Sequence, residues 1–228
     1  MTIDWTQLAA MLSAFAGFAG AGAIVFASIV GKRTVDDWRE EKVSERRFDL
    51  AEQILVLAYR CRDELAAARN GSINSYEMET STALLKGRGV AITPRNDDSE
   101  RKVFAQAVET RLDIPLWSEV EGIRPRCLAY FGKRPVDALD AILDQRRRTR
   151  AGILRYYGLT TPPPQSRASI LEHFDRRLED AEHLIMSARI EGREDEIALA
   201  MEKAVKGLET ELLPVLRSKK DAMAFPAG

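Results

Sequence analysis

Histidine and cysteine are scarce in this chain of 228 residues, with two of each, and their scarcity removes whole classes of chemistry. Cys61 and Cys127 lie far apart in no CxxC or Cys/His pattern, which excludes a disulfide framework or a zinc finger and fits a reducing cytoplasm. Both are expected as small core residues. The histidines are His173 and His183, and Asp180 with His183 makes one Asp-x-x-His. A di-iron bundle needs two such pairs and further glutamates, so neither a metal nor any other cofactor is expected. Any of many residues could partner either histidine, so no catalytic triad stands out. Gly87-Arg88-Gly89 lies in a basic loop but lacks the GxxxxGK[ST] spacing that cradles phosphate. Strand-length alternation and fixed-period repeats are missing as well. Neither charge dominates, at 34 basic against 35 acidic residues, so the total indicates neither a basic nucleic-acid-binding protein nor an acidic tail.

What the chain does have is one long apolar run. Residues 8–30 carry no charged side chain and are bounded by Asp4 and by Lys32-Arg33. At ~1.5 Å per residue the run spans ~34 Å as a helix, enough for a ~30 Å hydrocarbon core with some tilt. It therefore reads as a single transmembrane helix. A cleaved signal peptide fits less well, because the basic n-region is missing and the apolar core exceeds the usual ~7 to 15 residues. Basic residues flank only the C-terminal side, which places residues 1–7 outside and the rest in the cytoplasm, at an inner or plasma membrane. Within the run Ser13, Gly17 and Ala21 are spaced by four, so one face offers close approach to another membrane helix.

The remaining ~200 residues suffice for one domain with its own core. Residues 31–70 are expected as a stalk helix that enters a bundle. Its first half is nearly all charged, while Leu50, Ile54, Leu57, Cys61, Leu65 and Ala68 then recur at helical steps until Asn70-Gly71 ends the pattern. Residues 71–158 read as a helical domain with a loop at 86–98, punctuated by Pro115, Pro125 and Pro135. Its expected core residues include Trp117, Ile123, Leu128, Leu139, Ile142 and Leu154. A Pro-rich connector follows at 159–165. Residues 166–220 read as a hairpin of two amphipathic helices, broken or bent at Gly192, and 221–228 as a disordered tail. The fold class expected is all-α, a bundle of five to seven helices behind the membrane anchor.

Two features invite functional readings. Between Arg124 and Arg155 nine basic residues face three acidic ones, and Arg146, Arg147, Arg148 and Arg150 form the densest part. Such a block can hold anionic lipid headgroups, an acidic partner or RNA, or it can be a solvated helix face paired to local acids. The other is a spacing: Arg167 precedes His173, and Arg177 precedes His183, each with five residues between. It resembles the Arg-x(4–6)-His motif of the HEPN family of ribonucleases, all-α bundles that pair two motifs in a dimer. The resemblance, confined to these positions, implies an imidazole that moves the proton of a 2′-hydroxyl and an arginine that steadies phosphate charge.

The leading expectation is a single-pass, membrane-anchored helical scaffold without catalytic residues, binding a protein partner or its own copies. A membrane-tethered ribonuclease is the enzymatic alternative, with nucleic acid as its partner. A sensor of anionic lipid or phosphate through residues 124–155 is the third.

Overall fold

The computed structural model describes the backbone of residues 5–163, 165–187 and 194–224; within the helices, the side chains of residues 5–25, 27–29, 33 and 218–224 fall outside the described set. Among the described residues the protein is all-helical. Seven helices follow one another: α1 (Trp5–Ala68), α2 (Ser75–Gly87), α3 (Asp97–Leu112), α4 (Leu116–Phe131), α5 (Lys133–Tyr157), α6 (Ala168–Ile185) and α7 (Glu196–Ala224). The chain divides into two compact units, Met1–Asp49 and Leu50–Gly228.

The first unit contributes the N-terminal part of α1. From Thr34 to Arg47 every residue is exposed, Trp38 and Val43 included, as the charged composition of this stretch leads one to expect. Lys42 pairs with Glu45 at 2.7 Å, and Thr34 Oγ1 donates to the Val30 carbonyl at 2.9 Å. Among the described residues no helix is long and apolar enough to cross a membrane. Residues 8–30 have helical backbone, but most of their side chains, with Ser13, Gly17 and Ala21 among them, lie outside the described set.

The second unit is the bundle. Leu50, Ile54, Leu57, Cys61, Leu65 and Ala68, the face legible in the heptad-like spacing of α1, are all buried in its core. Around them lie Trp117 of α4, Leu139 and Ile142 of α5, and Met201, Leu208 and Leu212 of α7. α5 is the axis of this unit, packing against α3, α4, α6 and α7, while α2 packs on α3. The two C-terminal helices, expected as a hairpin, are thus each seated on α5. α7 also runs through Ala224, four residues into the segment expected as a tail, and the joint at Gly192 lies outside the described residues.

Helix ends follow local chemistry. Asn74 caps α2 in a reciprocal box with Glu77, accepting from Glu77 N at 2.9 Å while Asn74 N donates to Glu77 Oε2 at 3.1 Å. Asn96 accepts from Ser99 N at 3.1 Å and caps α3. Gly132, at φ 80° and ψ −162°, takes a conformation open only to glycine and separates α4 from α5. Pro125 does not divide α4; it sits inside the continuous span Leu116–Phe131, one helix between Pro115 and Gly132. Pro135 occupies the first turn of α5, where a missing N–H leaves no intrahelical bond unmade. Leu128 and Leu154, expected in the core, are exposed. Each follows a buried residue, Cys127 and Ile153, and the ~100° turn per helical residue carries it off the buried face.

Two contacts fix how these helices meet. Arg69, only 2 % exposed, donates through Nη1 to both Asp195 oxygens at 2.9 Å, through Nε to Leu184 O at 3.2 Å, and through Nη2 to His183 O and Met186 O at 3.1 and 3.0 Å. Asp195 meanwhile accepts from Ile197 N and Ala198 N, both at 3.1 Å, and so caps α7. Gly152 of α5 is the second contact: a Cβ there would lie 2.5 Å from Leu184 Cβ and 3.0 Å from Ile185 Cγ2 of α6.

Removal of the Arg69 guanidinium strands Asp195 and three carbonyls, and breaking such a buried pair costs about 3–5 kcal/mol. Arg69→Ala is expected to unfold at much lower denaturant than the parent protein, and Arg69→Lys, with three donors for five acceptors, to recover only part of the loss. Gly152→Ala is expected to cost about 1–3 kcal/mol despite alanine's higher helix propensity, lowering the melting temperature by several degrees. Denaturant and thermal melts of the three variants beside the parent check these expectations.

Candidate functional site

A cleft of about 700 Å³ opens among α2, the loop after it, α3, the end of α5 and α6. The loop begins where α2 ends at Gly87, and Thr93-Pro94 leads into Arg95, which stands at φ 58°. That left-handed geometry costs a non-glycine residue about 1–2 kcal/mol, and Arg95 lines the cleft. Ser99 ties the loop down, its hydroxyl accepting from Thr93 N at 3.0 Å.

Arg101 forms the polar floor. One α-helical turn before Phe104 and Ala105, it lies on the inward side of α3 and is 10 % exposed. Its guanidinium pairs with Asp98, donates to Thr161 Oγ1 at 2.7 Å and lies over the Phe174 ring at 5.5 Å. Asp98 also accepts from Thr161 N at 3.0 Å and Thr161 Oγ1 at 2.7 Å. The Pro-rich connector, α3 and α6 are thereby joined at one point. The Arg101 Nε is buried without a hydrogen-bond partner.

Opposite lie aromatic and acidic groups. Phe104 meets Tyr156 edge to face at 6.0 Å between ring centres. Burial, with the Glu182 charge beside it, pushes the Tyr156 phenol up to about 12. Burial also raises the Glu182 carboxyl above 4.5, opposed by the Tyr156 hydrogen bond and the Arg101 charge.

Six of the nine basic residues of the block meet partners within the fold. Arg146 lies over the Trp117 ring at 5.3 Å and donates to Leu112 O at 3.5 Å. Arg147 pairs with Asp144 at 3.4 Å, Arg148 with Glu196 at 3.0 Å, and Arg150 with Glu109 at 3.5 Å. Arg124 pairs with Asp140 at 2.6 Å and Arg134 with Glu211 at 3.4 Å. Arg167 is the exposed N-cap residue of α6, and His173 and Arg177 are exposed on the same helix. His183 is half-buried near its C-terminus, where its carbonyl accepts from Arg69. Among the described residues neither imidazole is hydrogen-bonded to an arginine. The thiols are buried core groups, with Cys61 pushed up to about 12 and Cys127 to about 11 by burial.

Sequence reasoning passed over Arg101 and Glu182. The available signal for Arg101 was an arginine in step with Ala105, Val108 and Leu112, a cation on an otherwise apolar stripe. No signal marks Glu182, whose role depends on Tyr156 of another helix.

Searches against protein-family models, curated proteins and solved structures found no match to this chain.

The raised carboxyl of Glu182 has a definite sign. Its charged form is disfavoured in the folded state, so the group opposes folding at neutral pH and ceases to do so once pH falls below its unfolded value near 4.5. Glu182→Gln, which keeps an acceptor for Tyr156, is expected to be more stable than the parent at pH 7, with the advantage shrinking toward pH 4. Melting temperatures across that range check it.

Proposed function

We propose that this protein is a membrane-tethered helical binding module: residues 8–30 cross an inner or plasma membrane once, and the domain after them stands at its cytoplasmic face to bind a protein partner or further copies of the chain. The supporting observation is α1. A single helix, Trp5–Ala68, contains the uncharged run, then an exposed charged stretch, then the buried face of the bundle core. Anchor, spacer and packing surface follow in the order a tether requires, with basic residues 32 and 33 at the inner boundary.

Arg146, Arg147, Arg148 and Arg150 each meet a neighbour in the fold, the arrangement of a solvated, locally paired helix face that stands as the alternative to a lipid or RNA site. The exposed Arg167, His173 and Arg177 leave the ribonuclease reading without a joined pair in one chain to support it.

Carbonate extraction tests the tether. The full-length chain is expected to stay in the membrane pellet at alkaline pH and a chain lacking residues 1–30 to enter the supernatant. External protease on intact cells should leave the domain from residue 32 onward uncut. Release of the full chain by carbonate overturns the reading. Retention, together with a protein recovered in fixed ratio after mild solubilisation, supports it.

A further inference from the structure

The cleft over Arg101 carries an inference that does not depend on the tether. Its volume, about 700 Å³, lies within the ~300–1,000 Å³ of small-molecule sites. Its walls are Met78, Ile92, Val103, Phe104, Leu178 and Met186, two of them the flexible thioethers that accommodate apolar ligands of irregular shape. Such a wall removes an apolar chain from water. Polar groups line the cleft beside these apolar ones, Thr82, Thr93, Ser99, Arg101 and Glu182 among them, so a ligand with both an apolar chain and a polar head matches its lining.

Charge selects among amphiphiles. Lys86, Arg95 and Arg101 line the cleft, and so do Asp97, Glu100 and Glu182. The two signs balance, and at the floor Arg101 is already paired with Asp98 and faces Glu182. A carboxylate entering there gives up its hydration to meet a cation whose charge is taken, and an ammonium group meets Arg101 itself. An uncharged head loses far less on desolvation and still finds the Tyr156 hydroxyl, the Glu182 carboxyl and the Arg101 guanidinium.

We propose that this cleft is a binding site for an uncharged single-chain amphiphile, a molecule with one long hydrocarbon chain and a hydroxyl- or ester-bearing head, with the chain along Met78, Val103 and Leu178 and the head on the Arg101 floor. The backbone of Arg95, held in the left-handed region at the mouth, fits a site whose loop is shaped for a ligand.

Photo-crosslinking tests it with three probes of equal chain length, each carrying a diazirine in the chain: a monoacylglycerol, a fatty acid and an alkylamine. The full-length protein is reconstituted in bilayers and illuminated, and labelled peptides are mapped, which separates the cleft from residues 8–30. Labelling of peptides containing Met78, Phe104 or Leu178 is expected, with the monoacylglycerol exceeding both charged probes by about tenfold, the ratio that one desolvated charge readily produces. Val103→Trp, which fills the cleft, is expected to abolish it; should that variant not fold, Met78→Trp at the exposed mouth is expected to reduce it strongly. Preference for the fatty acid or the alkylamine overturns the ligand class. Absence of label from the cleft, or label unchanged in a folded cleft-filled variant, overturns the site.

Discussion

The Arg69 guanidinium has five N–H donors, and the fold gives each an acceptor: two oxygens of Asp195 and the carbonyls of His183, Leu184 and Met186. A cation at 2 % exposure is tolerable only under such complete satisfaction, since one unmet donor in the interior carries the full cost of its lost hydration. The consequence reaches three helices. Arg69 directly follows α1, its acceptors close the C-terminal end of α6, and Asp195 caps α7, so one ion pair fixes where three helix ends meet. Arg69 O in turn accepts from Ser187 N at 2.7 Å and Ser187 Oγ at 3.2 Å, closing the joint from the other side.

The same device recurs elsewhere. Arg111 of α3 donates to Ala68 O, Asn70 O and Ser72 O and grips both oxygens of Glu77, so the turn from α1 into α2 is held by an arginine more than thirty residues further on. That pairing, with the backbone N–H of Asn74, holds the Glu77 carboxyl down at about 2. Arg101 joins α3 to the Pro-rich connector through Asp98 and Thr161. In each case a planar fork collects several acceptors at once, which a lysine ammonium cannot do with the same reach. Arg69, Arg101 and Arg111 thus each close a helix end or a connection.

One side of the cleft depends on how closely α6 approaches α5. Gly152 lets Leu184 and Ile185 sit against bare backbone, and that approach brings Glu182 to Tyr156 one turn further along α5. A bulkier residue at 152 would push α6 outward and separate the acid from the phenol. Stability and site geometry are therefore coupled at a single small residue.

Local order was legible from the residues themselves. The buried face of α1, the start of α5 around Pro135 and the apolar face of α7 depend on spacings of three or four residues, which any reader of the chain can count. Leu128 and Leu154 show where that reading fails, because hydrophobicity marks a candidate for burial and the helix rotation decides which face receives it. What the tertiary structure alone decided is the role of the charges. Arg69 meets Asp195 across 126 positions and Thr161 meets Asp98 across 63, distances over which no periodicity carries information. Helix formation is governed by neighbours in the chain, whereas the position of an interior cation, and of the cleft beside it, is governed by acceptors that only packing brings within 3 Å.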